Sequence, residues 1–447
     1  MYDSQACGLA PTSASESTRN TDGAEIKLSR PVEDKNPVVI GRLGRNPDLP
    51  TVTFYGHYDV QPAMEREWNT DPFEVAAIDG YFYGRGTSDN KGPILAFVYA
   101  VKEMLKEGRG ANGLLPVNVA FVFEGEEENG SAGFREAVQA NLHWFEGTQL
   151  IIISNTLWVG EEVPCLTYGM RGMIAAAVEV KGPARDLHSG NEGGVFNEPL
   201  ADLMKVLASL VDSSNRILVP GFQALVRPNT LEPALERLAA SSEFSLDGYR
   251  AALGIPCLVK AQSTSELLRA RWCEPALSVV DVRVGDDEEG AGDPFYRFGP
   301  TRFSVIPRSA VGNVSVRFVP DQDAEQLIAA LRAHVDTAFS ALGSSNTAAV
   351  RVKSVGDWWE ADPESKLFKM AERALTAEWG RQPLFVREGG TMPVASALEK
   401  MLGAPALLVP FGQSSDACHL ANERLQRINL IRGKNVIKNL LCMLENA

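Results

Sequence analysis

Three strand-like apolar runs each stop on polar residues able to carry chemistry, and this pattern constrains the fold more than any other feature. TVTFYG (51–56) runs into His57-Tyr58-Asp59, VNVAFVF (117–123) into Glu124-Gly125-Glu126-Glu127-Glu128, and LIIIS (150–154) into Asn155. Short apolar runs bounded by turn residues read as buried strands. In an open α/β sheet, the residues just past a strand's carboxyl end face the ligand crevice. A further strand is expected at PVVIGRL (37–43). A helix is expected at about 93–106, with Ile94, Phe97, Val98, Val101 and Leu105 on one face and Pro93 near its start. The class is therefore α/β, a sheet with helices packed on it.

The pattern changes near residue 175. Strand text (175–182), helical text (199–211, 231–240), two strands (278–284, 313–319) and a long helix (324–342) describe a smaller α+β unit inserted into the first. The expected organisation is a disordered lead-in over 1–35, a first α/β part over 36–174, the inserted unit over 175–319, and the return to the first domain over 320–447. The acidic, glycine-rich stretch 285–294 reads as a loop on the inserted unit.

Composition removes several function classes. With 447 residues, 45% of them apolar, the chain can build two or three domains. A net charge of −14 without basic clusters argues against nucleic acid and anionic membranes as partners, and it suits a site that holds cations. The six cysteines are scattered with no CxxC pair, as expected for reduced thiols rather than a disulfide framework or a thiolate zinc site. No apolar run reaches membrane-span length and the first twenty residues hold no secretory core, so a soluble, cytoplasmic protein is expected.

Taken singly, the polar residues are weak signals. His57 with Asp59 fits a metal ligand and its orienting carboxylate, yet HxD alone is more often a hydrogen-bonded structural histidine. Asp89 stands in YGRGTSDNKGP (83–93) just ahead of a helix, where a cap is the simpler reading. Glu126, Glu127 and Glu128 repel one another unless they are solvated or neutralised by a cation. His419 lies in the polar loop FGQSSDACHLANERL (411–425) after the strand text ALLVP. His57, His188 and His419 all sit in Gly/Ser/Asp-rich loops. Together, one His, one Asp, adjacent Glu residues and a second His at strand ends and helix starts describe a two-metal hydrolase.

At these residues the sequence resembles the dinuclear zinc metallopeptidases that include carnosine and Cys-Gly dipeptidases, carboxypeptidase G and aminoacylases. The resemblance runs in order through HYDVQP, YGRGTSDNKGP, FEGEEENGS, TYGMRG, DLHSGNEGG, VIPRSAVG, REGGTMP and the final His loop. ISNTLWVG, RFGPTRFSVIPRSAVG and REGGTMP are similar to the fungal di-/tripeptidase-like subunit of an alternative glutathione-degrading complex.

The resemblance implies a catalytic domain with a mixed central sheet and flanking helices, and an inserted lid and dimerisation domain that forms a homodimer. It implies two divalent metal ions, zinc or else manganese, with Asp89 bridging them, His57 on one, and Glu128 and His419 on the other. Glu127 matches the general base and Asp59 the residue orienting His57, and the Asp89-Asn90 bond is cis in relatives. His188 matches the histidine that reaches the partner subunit's site. Arg317, Arg387, Gly390 and Thr391 match positions holding the carboxylate and carbonyl of a small peptide substrate.

The sequence departs from that pattern at three places. Asn155 stands where active relatives carry Asp or Glu as a metal ligand, which leaves Asp89 and Glu128 as the only ligand charges and predicts weaker binding at the His57 site. SVGDWWEADPES (354–365) lacks a histidine that carnosine-type dipeptidases use for substrate, so simple dipeptide specificity is not implied. Relatives also carry one or more helices before the first strand, where this sequence has 36 residues ahead of Pro37. Three functions follow: a metal-dependent di-/tripeptidase acting on small peptides such as glutathione or Cys-Gly, a catalytically weak subunit organising an amidotransferase-like partner, and an N-acyl amino-acid amidohydrolase.

Overall fold

The computed structural model describes residues 17–19, 23–108, 115–223, 226, 232–284 and 303–444. The chain divides into two compact units, one of residues 1–167, 362–383 and 397–447, the other of 168–361 and 384–396.

The first unit is built on a sheet whose centre is parallel. Thr51–His57 lies between Asn118–Glu124 and Thr148–Ile153, parallel to both, and Ala406–Leu408 continues the parallel set beside Thr148–Ile153. Every residue of Thr51–His57 is buried, as a strand covered on both faces requires. Antiparallel strands extend one edge, with Val38–Leu43 against Asn118–Glu124, then Glu25–Ser29, then Ser17–Arg19. The expected disordered lead-in therefore does not hold at Ser17–Arg19 or from Glu25 onward, because the free edge of Val38–Leu43 supplies a backbone partner that composition does not reveal. Residues 1–16 of that expectation lie outside the described residues.

The helix Lys91–Glu107 lays Phe97 on Phe54, ring centroids 4.7 Å apart, and buries Ala96, Ala100, Val101 and Met104. Arg427–Leu444 packs beside it, with Lys434 and Lys438 paired to Glu103 and Glu107. Gly56 permits this close approach, since a Cβ there would lie 2.6 Å from Ile94 and 2.9 Å from Asn90 Oδ1. The result is that His57, Glu124–Glu128 and Ser154–Asn155 all follow the carboxyl ends of neighbouring parallel strands.

The second unit holds a four-stranded antiparallel sheet in the order Ala276–Val284, Ser309–Phe318, Gly172–Lys181, Thr347–Gly356. Helices Pro199–Ala208 and Ala324–Ser340 bury Leu203, Val206, Leu327, Leu331 and Val335 in one core with Val178, Val180, Val314 and Val316. This unit reaches past 319, because Thr347–Gly356 pairs with Gly172–Lys181 rather than rejoining the first sheet. Strand propensity does not encode the choice of pairing partner. The loop expected at 285–294 lies outside the described residues. Among the described residues, no helix is long and apolar enough to cross a membrane.

Candidate metal centre

In the first unit, two strand ends and two loops bring acids and histidines together. His57 Nε2 lies 2.8 Å from Asp89 Oδ1, and His419 Nε2 lies 3.0 Å from Asp89 Oδ2 and 3.1 Å from Glu128 Oε1. Asp89 thus stands between the two imidazoles, one on each oxygen. Donor atoms of His57, Glu127 and Glu128 form one group within 4.8 Å of one another, and those of Asp89, Glu128 and His419 form a second.

Asp59 holds this arrangement from behind. Its Oδ1 is 3.4 Å from His57 Nδ1, and its Oδ2 accepts the Glu128 N–H at 2.9 Å. One carboxylate thereby sets the ring of one candidate ligand and the backbone of another. Gln61 donates to Glu128 Oε2 at 2.8 Å.

The electrostatics are those of a site short of positive charge. Burial alone would lower the His57 imidazole, but hydrogen bonds to Asp59 and Asp89 with the charges of Asp89 and Glu127 push it up to about 11. Hydrogen bonds to Asp89 and Glu128 carry His419 up to about 10. Burial opposes ionisation of Asp89, yet the two imidazoles hold its carboxyl well below the usual range. Burial, with Asp89, Glu128 and Asp59 nearby, pushes Glu127 up to about 7 against the pull of His57. Glu127 makes no side-chain hydrogen bond among the described residues, and buried Glu128 Oε1 has the His419 imidazole 3.1 Å away. Oxygen and imidazole donors gathered in two overlapping groups, with Glu127 unengaged among them, fit a pair of divalent cations.

Asn155 follows the strand Thr148–Ile153, and its Oδ1 accepts the Asn90 side-chain N–H at 3.0 Å. The Asp89–Asn90 peptide is cis.

Several supporting residues escape sequence reasoning. Glu423, fully buried, accepts the backbone N–H groups of Gly86, Ser88 and Asp89 and an ion pair from Arg85 at 2.9 Å. Asp416 accepts the Ser88 hydroxyl at 3.0 Å. The available signal was spacing: Glu423 follows His419 by four residues, so a single loop carries a candidate ligand and the clamp on the Asp89 loop.

The other expected residues lie in the second unit. Arg317 donates to Thr391 Oγ1 at 2.6 Å, beside Gly390, where a Cβ would meet open space. Arg387 is instead 4% exposed, paired to Glu360 at 2.9 Å and set over the Tyr168 ring at 5.1 Å. Gly169 leaves it that room, since a Cβ there would come within 2.6 Å of the guanidinium. His188 is exposed on the short strand Leu187–His188, with its Nδ1 accepting the Gly190 N–H at 3.1 Å.

Residues 53–442 match peptidase family M20/M25/M40. The chain belongs to that family. As an M20/M25/M40 protein it is a metallopeptidase, whose chemistry depends on divalent metal ions. It is 37% identical over 411 residues to the Cys-Gly metallodipeptidase DUG1 of Candida albicans, covering 90% of this chain and 81% of that one. It is 34% identical over 378 residues to the probable di- and tripeptidase DUG2 of Saccharomyces cerevisiae, covering 84% of this chain and 39% of that one. The solved structure of the di-peptidase Dug1p from Saccharomyces cerevisiae superposes with a TM-score of 0.80 at 34% identity, covering 95% of this chain and 88% of that one. The mixed central sheet and the flanking helices are those of the M20 fold.

Proposed function

We propose that this M20/M25/M40 chain hydrolyses amide bonds in small peptides as a di-/tripeptidase, with peptides of the Cys-Gly or glutathione type as candidate substrates. The observation that carries the reading is the pairing of an unengaged carboxylate, Glu127, with two overlapping His/Asp/Glu groups around Asp89. His57, Asp89, Glu128 and His419 would hold two divalent cations, zinc or manganese. When bound, such a pair polarises water and the scissile carbonyl.

The protein's own residues do the rest. Glu127 takes the proton of the attacking water and delivers it to the leaving amine. Asp59 keeps His57 and the Glu128 backbone in place. Arg317 and Thr391, beside the open turn at Gly390, bind the peptide's carboxylate and carbonyl, a task suited to a guanidinium fork. Arg387, already neutralised by Glu360, acts as a positioning residue behind that turn. His188 serves the oxyanion of a second copy's site in a homodimer formed through the second unit. The exposed valines 279, 280, 282 and 284 on the strand Ala276–Val284 support that pairing.

Chelation should abolish hydrolysis, and Glu127→Gln should remove it while folding and metal content persist. Activity surviving both would overturn the reading.

Asn155 favours one alternative, a catalytically weak subunit that organises an amidotransferase-like partner. Full peptidase activity in the isolated homodimer with two tightly bound metals would exclude it.

A further inference from the structure

The loop that carries His419 is held in a conformation its own residues do not favour. Ala417, His419 and Asn422 all take left-handed backbone, with φ of 55°, 65° and 63°, and none of them is glycine. Such conformations persist where the surroundings impose them. Glu423 fastens the carboxyl end of this loop to the backbone of Gly86, Ser88 and Asp89. The amino end, 413–416, needs an anchor of its own.

That anchor comes from the segment after Asn155, in the same unit. Leu157 pairs with Gly412 in parallel, and the Trp158 N–H donates to Gly412 O at 2.8 Å. The buried Trp158 indole donates to Pro410 O at 2.9 Å and packs edge-on against Trp379, ring centroids 5.5 Å apart. A Cβ at Gly412 would lie 2.4 Å from Ser88 Oγ and 2.6 Å from Leu157, so this seam leaves no slack.

Glu161 closes the seam. Its Oε1 accepts the Ser414 hydroxyl at 2.9 Å and the Ser415 N–H at 3.1 Å, and its Oε2 accepts the Ser415 hydroxyl at 2.8 Å. The Glu161 carbonyl oxygen also accepts the Gln413 side-chain N–H. From the other side, Arg424 donates to Ser415 Oγ at 3.0 Å. The next residue, Asp416, accepts the Gln413 N–H at 2.9 Å and the Ser88 hydroxyl at 3.0 Å. Contacts thus run from Glu161 to the residue before Asp89. Glu161 is exposed, so each bond is modest, but three donors on one charged acceptor fix the loop end in place.

We propose that Glu161 is a positioning residue for His419, latching the amino end of its loop so that the Asp89–Glu128–His419 group is set before a metal arrives. This rests on the reading of His419 as a metal ligand.

The test titrates zinc into the metal-depleted full chain by calorimetry. Glu161→Ala should weaken, by at least about tenfold, the same binding event that His419→Ala removes, the scale of one charge-assisted hydrogen bond lost. Glu161→Lys and Ser415→Asp should each weaken that event alone. Together they should restore it through a reversed ion pair, which a general loss of stability would not do. Unchanged zinc affinity in Glu161→Ala, or a loss that the reversed pair leaves in place, would overturn the proposal. Should Glu161→Ala fail to fold, Ser414→Ala with Ser415→Ala removes two of the donors from the opposite side and decides by the same titration. Unchanged affinity in His419→Ala would instead sink the reading of His419 as a ligand.

Discussion

Asn90 hands one side-chain amide to two residues of the neighbouring strand end, donating to Asn155 Oδ1 at 3.0 Å and to Ser154 O. The Asn155 oxygen is thus already an acceptor, positioned by the residue that follows Asp89. An aspartate at 155 would keep that bond and add a negative charge at the position where the resemblance places a ligand of the His57 metal. Asn155→Asp should therefore raise the occupancy of the His57 site and increase activity at limiting metal, measured by elemental analysis and by rate against metal concentration. Unchanged metal content and unchanged activity would show that the carboxamide is not what limits the site.

Metal uptake should release protons. In the metal-free protein His57 and His419 are held up to about 11 and about 10, so both imidazoles carry protons at pH 7, whereas metal binding needs the unprotonated ring nitrogen. Asp89 is ionised throughout and contributes no proton. Raising pH removes the competing protons, so apparent metal affinity should increase from pH 6 to pH 9. Calorimetry in buffers of different ionisation enthalpy reads the proton count directly, and binding without proton release would contradict this account.

Glu423 should matter more than its distance from chemistry suggests. It and Arg85 form a buried pair, and Glu423 also takes three backbone N–H groups of the Asp89 loop. Glu423→Ala leaves Arg85 with only the longer contact to Glu65 at 3.5 Å and those backbone donors unsatisfied, a loss of about 3–5 kcal/mol. Thermal unfolding should fall accordingly, and metal affinity should fall with it because Asp89 loses its backbone anchor. A variant that unfolds at the parent temperature with parent metal affinity would refute the role.

Arg317→Met should act on substrate binding. The lost charge-assisted hydrogen bond corresponds to about 1.5–3 kcal/mol, or roughly 10- to 150-fold in kcat/KM. Metal content should stay unchanged, since Arg317 lies in the second unit and the candidate ligands in the first. A lowered metal content would mean that the residue supports the centre instead.

The strands Thr51–His57, Asn118–Glu124 and Thr148–Ile153 were legible from the sequence because buried parallel strands leave continuous apolar runs. Their endings pointed to His57, Glu127, Glu128 and Asn155, since the carboxyl end of a parallel strand is where a ligand can approach. Apart from the resemblance, Asp89 read most simply as a helix cap and His419 only as a polar loop residue. Tertiary structure alone set one imidazole on each oxygen of Asp89. It also decided the partners of Glu423, the enclosure of Arg387 by Glu360 and Tyr168, and the pairing of Thr347–Gly356 with Gly172–Lys181. The difference has a physical cause. Periodicity and apolar runs record whether a residue is buried, a local property of the chain, whereas counter-charges and strand partners come from segments tens to hundreds of residues away and leave no local trace.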